Sequence, residues 1–345
     1  MSTTHRAIAS RPTLLLSMGP GVDSHLLTDD HRARLAALTH TDPHLVAHDL
    51  AAPGPPLAEA LASAELLLTC WGAPPLTADV LARAPRLRAV VHAAGSVKHH
   101  ITEACWERGL AVTSTAAANA LPVAEYTLAA ILFAGKGVLP SAQWYGEGHP
   151  GGAWTTESAA WGNYRRTVGL VGASRIGRRV VELLRPFDFE VLLHDPYVTA
   201  DEARELGVRL VDLDDLCAHS TIVSVHAPQL PSTYRMIGPR QLALMPDGAT
   251  LINTSRGTLV DEPTLLLHLT AGRLHAILDV TDPEVPSPDS PLWTLPNVLL
   301  TPHMAGSLGN ELHRMADQAL GEVERYARGE PFTDPVRPSD LTRSA

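Results

Sequence analysis

The sequence lacks the cysteine pattern that marks disulfide-linked or zinc-binding proteins. Its three cysteines, Cys70, Cys105 and Cys217, are widely spaced and include no C-x-x-C pair. Neither a disulfide framework nor a zinc site is therefore indicated, and we expect no bound metal ion. We expect all three thiols to be buried in a soluble protein of the cytoplasm, a reducing compartment.

Positive charge and long apolar runs are also scarce. There are 27 Lys and Arg residues against 37 Asp and Glu, which gives a formal net charge of −10. Phosphate contacts need clustered cations, so we expect no nucleic-acid partner. No uninterrupted apolar run reaches the ~20 residues that cross a bilayer, and the Leu14–Met18 stretch is too short for the apolar region of a secretory signal. We expect no membrane association.

What is present is an alternation of apolar runs with stretches of helical length. A chain of 345 residues with 45% hydrophobic residues is long enough for about two domains. Most of the runs are continuously apolar, as in strands buried on both faces of a parallel sheet. The rhythm predicts doubly wound α/β domains with right-handed crossovers. The predicted strands are Thr13–Met18, Glu65–Thr69, Arg88–His92, Ala111–Thr113, Thr167–Val171, Glu190–His194, Thr221–Val225, Ala249–Asn253, His275–Leu278 and Val298–Leu300, and predicted helices include Ala78–Arg83, Arg175–Arg185, Thr199–Leu206 and Pro263–Ala271.

The alternation breaks once, after a long apolar helix predicted at Ala120–Phe133. The following Gly135–Asn163 stretch is rich in Gly and Trp and has little periodicity, which predicts an ordered arm or loop. A final amphipathic helix is predicted at Gly309–Arg328, before a tail interrupted by prolines that we expect to be frayed.

A glycine-containing turn after the Thr167–Val171 strand predicts a dinucleotide site. It matches the G-x-G-x-x-G pattern at Gly172 and Gly177, but has Ser174 at the middle position. Serine is small, and its hydroxyl can bind a phosphate oxygen. The start of the next helix, at Arg175 and Ile176, would direct backbone N–H groups at the pyrophosphate.

An acidic residue at the end of the next strand indicates which dinucleotide binds. Asp195 lies 18 residues after Gly177, close to the spacing of the carboxylate that binds the adenosine ribose hydroxyls. A carboxylate there repels a 2′-phosphate, which favours NAD over NADP. The alternative for Asp195 is a turn or helix-capping residue before Pro196.

Five segments in order resemble the NAD-dependent D-isomer-specific 2-hydroxyacid dehydrogenases. The resemblance implies a Rossmann-type cofactor domain, residues 119–308, inserted within a flavodoxin-like substrate domain, residues 1–118 plus 309–345. It also implies an active site in the cleft between them, closed during hydride transfer. The matching segments are Ala118–Leu128 (ANALPVAEYTL), Val223–Thr233 (VSVHAPQLPST), Asn253–Gly257 (NTSRG), Leu278–Glu284 (LDVTDPE) and Leu299–Gly306 (LLTPHMAG).

The resemblance implies a catalytic set of Arg256, Glu284 and His303. Oxidising a secondary alcohol needs a base for the hydroxyl proton, and His303 suits this task because imidazole exchanges protons near neutral pH. Glu284 would hold the other ring nitrogen and fix the tautomer. Arg256 would bind the substrate carboxylate and polarise the carbonyl. Each residue alone has an ordinary structural reading, so the prediction depends on the set.

Further roles follow from the same resemblance. Asp279 matches an acid that accepts a hydrogen bond from the nicotinamide amide. The Ala94–Val97 turn matches the loop whose amides hold the substrate carboxylate, and Trp71 is expected to line the pocket or to lie in the core. The other implied cofactor residues are His226, Pro228, Thr233 and Thr254, and the implied substrate residues of the loop are Ala94, Gly95 and Ser96.

One departure from the family pattern is Lys98, one of two lysines in the chain, directly after the carboxylate loop. We hypothesise that its charge serves a doubly charged substrate, either a phosphorylated hydroxyacid or a hydroxyalkyl phosphonate. The alternative is a solvated lysine at the start of a helix. In both cases the predicted ligand is a small anion, and the sequence does not identify which one.

Two alternatives to a hydroxyacid dehydrogenase remain to be separated. An NAD-sensing protein like the superfamily's corepressors would keep the same residues, although no basic patch or partner-binding tail supports it. A formate dehydrogenase is disfavoured, because that branch replaces the acid partner of the histidine and Glu284 is present. The Ala120–Phe133 helix and the arm after it resemble the family's dimer-forming segment, so we expect a homodimer.

Overall fold

The structure, a computed structural model, describes residues 11–148, residue 158 and residues 161–342. The chain divides into two units. The first contains Met1–Asn119 and Ser307–Thr342, and the second contains Ala120–Gly306. Each unit is built on one parallel sheet, so the predicted fold class is confirmed.

The first unit has a five-stranded parallel sheet in the order β2-β1-β3-β4-β5. This is the strand order of flavodoxin-like folds. Both faces are covered by helices, and Leu14–Ser17, Leu66–Thr69 and Ala89–His92 are buried throughout. The strands are β1 (Leu14–Ser17), β2 (Val46–Ala47), β3 (Leu66–Thr69), β4 (Ala89–His92) and β5 (Ala111–Ser114), and the helices are α1 (Val22–Leu26), α2 (Asp29–Leu38), α3 (Pro55–Ser63), α4 (Ala78–Arg83) and α5 (Glu103–Glu107).

The second unit has a seven-stranded parallel sheet in the order β12-β11-β10-β9-β6-β7-β8. Counted from its first strand this is 7-6-5-4-1-2-3, the Rossmann order with one added strand. The order reverses at β6, which pairs with both β7 and β9. Ligands of such sheets bind outside the carboxyl ends of the strands at this switch point. The strands are β6 (Thr167–Val171), β7 (Glu190–His194), β8 (Arg209–Leu210), β9 (Ile222–Val225), β10 (Thr250–Asn253), β11 (His275–Leu278) and β12 (Val298–Leu300).

Two long helices lie at or near the boundaries between the two units along the chain. Helix α6 (Ala116–Gly135) includes the boundary after Asn119, and α13 (Leu312–Ala327) packs the apolar side chains of Leu312, Met315 and Leu320 into the core of the first unit. The remaining helices of the second unit are α7 (Val138–Gly146), α8 (Arg175–Leu184), α9 (Ala200–Leu206), α10 (Leu213–His219), α11 (Pro239–Leu244) and α12 (Glu262–Thr270).

Helix α6 is long and apolar enough, by length and composition alone, to cross a membrane, and 44% of its most apolar window is buried. Asn119 and Glu125 interrupt its apolar residues, so the helix contains no long uninterrupted apolar run. Ala124, Ala130 and Ile131 pack in the core of the second unit. Buried helices of this kind satisfy the same criterion as membrane spans.

The three cysteines are buried, as predicted, and form no disulfide. Desolvation raises the pKa of both Cys70 and Cys217 to about 12. These thiols are therefore protonated at neutral pH and behave as small apolar side chains.

Two local predictions were wrong. Val138–Gly146, predicted as arm or loop, is helix α7, which lacks a buried face and so has no apolar periodicity. The rest of that stretch at 149–157 and 159–160 lies outside the described residues. The tail was predicted to be frayed, but Pro335 pairs with Thr113 and the Val336 N–H donates to the Val112 carbonyl at 2.8 Å. Hydrogen bonding to β5 orders this segment.

Candidate active site

The glycine turn after β6 is built for close backbone approach. Gly172 has φ +102°, a conformation that favours glycine. A Cβ there would lie 2.6 Å from the Ala227 nitrogen. A Cβ on Gly177 would lie 2.1 Å from the Gly172 carbonyl oxygen. Both glycines are therefore required by packing, one for the turn and one for the contact between α8 and β6.

Ser174 caps helix α8. Its Oγ accepts a hydrogen bond from the Gly177 N–H at 3.3 Å, which leaves its hydroxyl hydrogen available for another acceptor. Arg175 and Ile176 form the first residues of this helix, where backbone N–H groups have no intrahelical partner. The N-terminus of α8 therefore suits a phosphate.

Asp195 follows β7 and connects to the glycine turn. Its Oδ2 accepts a hydrogen bond from the Ala173 N–H at 2.7 Å, and its Oδ1 accepts from the Tyr197 N–H at 2.8 Å. The carboxylate therefore stabilises two turns: the one that follows β7 and the glycine turn that follows β6. Its partial exposure leaves it accessible to ribose hydroxyls.

His226 and its neighbours line the other side of the switch point. His226 follows β9, is 3% exposed, and its Nε2 lies 2.9 Å from the Ser224 Oγ. Burial lowers the pKa of His226 to about 4, so its ring is neutral. Thr233 donates through Oγ1 to the Pro228 carbonyl at 2.6 Å.

Arg256 follows β10, in a turn that only glycine can complete. A Cβ on Gly257 would lie 2.0 Å from the Thr281 carbonyl carbon, so the turn packs directly on the loop after β11. The Arg256 Nη1 donates to the Ser255 carbonyl at 2.6 Å. Burial lowers the pKa of Arg256 and the nearby Glu284 carboxylate opposes this. The guanidinium stays charged, because arginine starts far above neutral pH.

Glu284 and His303 lie together at the carboxyl ends of β11 and β12. The Glu284 Oε1 lies 2.5 Å from the His303 Nδ1, and the two side chains are 56% and 45% exposed. A contact this exposed contributes little to stability. Its consequence is chemical, since it orients the ring and fixes the tautomer.

The predicted cofactor residues Thr254 and Asp279 are both buried. The Thr254 Oγ1 lies 3.0 Å from the Thr127 Oγ1 of α6. Asp279 accepts from the Met304 and Ala305 N–H groups and from the Thr301 hydroxyl, at 2.8, 2.9 and 2.6 Å. Its carboxylate therefore organises the turn that carries His303, a role that the sequence does not predict.

The first unit contains the predicted substrate loop at the carboxyl end of β4. Within the described residues, the N–H groups of Gly95, Ser96 and Val97 have no acceptor, as expected for amides that bind an anion. Ala94 is buried, and its carbonyl accepts from the Thr115 N–H at 3.2 Å.

Trp71 and Lys98 complete the predicted substrate residues. Trp71 follows β3 and is 42% exposed, so the alternative of a core tryptophan is wrong. Lys98 lies half-buried in a turn between β4 and α5, not at the start of a helix. Its N–H lies 3.5 Å from the Ser96 Oγ.

Sequence reasoning missed Tyr126 and Thr301, whose hydroxyls contact each other, and of which Thr301 also contacts Asp279. Both residues lie in segments that match the family pattern, but the contact between their hydroxyls has no sequence signal, because they are far apart in the chain. In the described part of the chain, no group of three or more His, Cys, Asp or Glu side chains is arranged to hold a metal ion.

The Rossmann strand order and the glycine turn at its switch point define a dinucleotide-binding protein of the doubly wound α/β class. Residues 128–305 match the family model for the NAD-binding domain of D-isomer specific 2-hydroxyacid dehydrogenases. The chain belongs to this family, and its dinucleotide is NAD. The glycine turn fits that cofactor, since Gly172 and Gly177 allow the close packing that places the N-terminus of α8 next to the turn.

Named relatives agree with this membership. The chain is 32% identical over 271 residues to the D-3-phosphoglycerate dehydrogenase of Archaeoglobus fulgidus, covering 76% of this chain and 51% of the relative. It is 35% identical over 258 residues to the glyoxylate reductase of Korarchaeum cryptofilum, covering 74% of this chain and 78% of that protein. A phosphoglycerate oxidoreductase from Rhizobium etli has a similar structure, with a TM-score of 0.79 and 25% identity, covering 96% and 100% of the two chains.

The chain spans about half the length of the curated phosphoglycerate dehydrogenases that it matches. The relatives that it resembles, phosphoglycerate dehydrogenases and glyoxylate reductases, are named for different substrates. Membership therefore leaves the substrate open.

Proposed function

We propose that the chain is an NAD-linked dehydrogenase that interconverts a small D-2-hydroxyacid and a 2-oxoacid. The contact between Glu284 Oε1 and His303 Nδ1, 2.5 Å long, carries the proposal. It lies at the carboxyl edge of the sheet whose β6 ends in the dinucleotide turn. This contact also argues against a formate dehydrogenase, which would lack the acid partner.

His303 is the general base for alcohol oxidation. A carboxylate only accepts hydrogen bonds, so the hydrogen lies on Nδ1 of the ring and Nε2 has the free lone pair. Nε2 then takes the proton of the C2 hydroxyl, and in the reverse direction returns it to the oxygen of the 2-oxoacid. Glu284 stabilises the imidazolium formed in between.

NAD held at the glycine turn would supply hydride transfer: the oxidised form would accept the hydrogen of C2 as a hydride, and the reduced form would donate a hydride to C2 in the reverse direction. Arg256 binds the substrate carboxylate and polarises the C2 oxygen, because its planar guanidinium offers several fixed donors. The free amides of Gly95 and Ser96, in the first unit, are proposed to bind an anionic substrate group. We therefore assign residues 1–118 and 309–345 to the substrate domain and residues 119–308 to the NAD-binding domain.

Lys98 supports a narrower proposal about the substrate. It lies directly after the amides of the substrate loop and adds a positive charge there. A second negative group on the substrate, a phosphate or a phosphonate, would gain from that charge, whereas a simple hydroxyacid would not. The dianionic classes are therefore the second candidate for the same reaction.

NADH oxidation with a panel of 2-oxoacids, including phosphorylated and phosphonate analogues, tests the proposal. We expect turnover with at least one of them; none across the panel would refute the dehydrogenase and favour an NAD-sensing binding protein. Lys98→Ala should lower kcat/KM more for dianions than for monoanions, and equal losses would refute the dianion proposal. The chain's other lysine, the exposed Lys136, provides the matched control in Lys136→Ala.

We also propose a homodimer in the cytoplasm. Helix α6, the segment that resembles the family's dimer-forming part, exposes Glu125, Ala129 and Phe133 on successive turns, and Phe133 is 55% exposed. A sedimentation mass of one chain would refute the dimer. The buried, protonated thiols support a reducing compartment, and fractionation of the source cells would test it.

A further inference from the structure

Tyr126, Thr301 and Asp279 form a hydrogen-bonded chain beneath the turn that carries His303. The Tyr126 hydroxyl lies 2.9 Å from the Thr301 Oγ1, and the Thr301 Oγ1 lies 2.6 Å from the Asp279 Oδ1. Tyr126 belongs to α6, whereas Thr301 follows β12 and Asp279 follows β11. Three distant segments of the second unit therefore meet here.

The direction of each hydrogen bond in this chain is determined by its acceptors. The Asp279 carboxylate accepts from the Met304 and Ala305 N–H groups, and a carboxylate only accepts. The Thr301 hydroxyl must therefore donate its single hydrogen to Asp279, and Tyr126 must donate to the Thr301 oxygen. Burial raises the pKa of Tyr126, helped by the negative charge of Asp279, so the phenol keeps the hydrogen that it donates.

The turn held by this chain has an unusual backbone. His303 has φ +53°, in the left-handed region that non-glycine residues rarely adopt. Such a conformation persists only where surrounding contacts stabilise it. Asp279 provides them on both sides, since its carbonyl accepts from the His303 N–H at 2.9 Å and its carboxylate from the next two N–H groups.

We propose that Tyr126 is a positioning residue for His303, acting through Thr301 and Asp279. By donating to Thr301, its hydroxyl leaves the Thr301 hydrogen directed at Asp279, which then holds the turn in the conformation that presents the imidazole. The catalytic consequence rests on the proposed function of His303. The effect on the turn rests on the geometry alone.

Hydrogen–deuterium exchange on the cofactor-free protein tests the effect on the turn. Tyr126→Phe removes the hydroxyl and keeps the ring. Loss of one buried hydrogen bond of ordinary strength should make the 303–305 amides exchange about three- to tenfold faster. Tyr145→Phe, at a tyrosine that is 73% exposed, is the matched control and should leave them unchanged. Unchanged exchange in Tyr126→Phe, or equal acceleration throughout the second unit, would overturn the proposal.

Kinetics of the NAD-loaded protein test the path through Thr301. Tyr126→Phe should lower kcat about three- to tenfold with less than a twofold change in KM. Thr301→Val should lower kcat further, and adding Tyr126→Phe to it should have no additional effect. Thr301→Ser, which keeps the hydroxyl, should restore most of the rate. Additive losses in the double variant would show that Tyr126 does not act through Thr301 and would overturn that path.

The two experiments separate this inference from the proposed function. If the unaltered protein turns over no 2-oxoacid, the dehydrogenase proposal fails, and the exchange result still decides whether Tyr126 holds the turn. If the protein is active and the exchange of the 303–305 amides is unaffected by Tyr126→Phe, only the positioning proposal fails.

Discussion

At the scale of single residues, the candidate catalytic groups of the second unit come from the ends of three separate strands. Arg256, Glu284 and His303 could be singled out because their segments resemble those of a known family, and because each follows a predicted strand at the carboxyl edge of the sheet. The left-handed backbone of His303 has no sequence signal, because it depends on hydrogen bonds to Asp279 from a different loop. Side-chain contacts between distant segments follow from tertiary packing.

We expect His303→Ala to lower kcat by about two to four orders of magnitude, the usual contribution of a general acid–base group. NAD affinity should be unchanged, because the substitution leaves the glycine turn and α8 intact. Steady-state kinetics together with NADH fluorescence titration measure the two quantities. His219→Ala removes an exposed histidine of the same unit and should retain full activity. If His303→Ala kept the normal kcat, His303 would not be the acid–base group.

At the scale of elements, prediction succeeded where a segment carries its own pattern. The continuous apolar runs of β6 and β10 match their predicted positions to within one residue. The two-residue strands β2 and β8 were missed, because they lie at sheet edges and are too short to show a period. Helix α7 was missed because it buries none of its residues. Short or exposed elements lack a sequence pattern of their own, so their positions depend on the segments that they pack against.

The packing of α8 on β6 leads to a prediction about Gly177. An added Cβ would meet the Gly172 carbonyl oxygen at 2.1 Å, a backbone atom that cannot move without displacing the glycine turn. Gly177→Ala should therefore reduce the free energy of unfolding by about 1–3 kcal/mol and weaken NAD binding. Urea unfolding and NADH titration measure these two effects.

Gly321→Ala is the matched control, a helical glycine of α13 with nothing within 4 Å of the added Cβ. There alanine should stabilise the protein by about 0.5–1 kcal/mol, because it favours helix more than glycine does. A stabilised Gly177→Ala protein with normal NADH affinity would contradict the proposed packing requirement.

At the scale of the whole molecule, the net charge of −10 contrasts with the anionic ligands expected in each unit. Binding must then depend on local groups, namely Arg256 and the N-terminus of α8 in one unit and the free amides of the substrate loop in the other. The total charge, which argues against nucleic acid, therefore says nothing about the substrate.

Each unit also buries a neutral histidine, and this predicts how stability depends on pH. Burial, with a further contribution from the charge of His100, lowers the pKa of His92 to about 3, and burial alone lowers the pKa of His226 to about 4. The unfolded chain binds these protons near pH 6.5. Below that pH the unfolded state holds more protons than the folded state, so the stability present above pH 6.5 is lost as the pH falls towards 3–4.

When the pH is lowered from 7 to 5, we expect proton uptake by each of these histidines in the unfolded chain to reduce the free energy of unfolding by on the order of 2 kcal/mol. Urea unfolding across this range measures the loss. His226→Asn removes the titrating group and should make the dependence shallower, even if it lowers stability at pH 7, because asparagine binds no proton in either state. His44→Asn, at an exposed histidine, is the matched control and should leave the slope unchanged. Parallel pH profiles for His226→Asn and the unaltered protein would show that His226 takes up no additional proton on unfolding, and the acid sensitivity would then have to come from other groups.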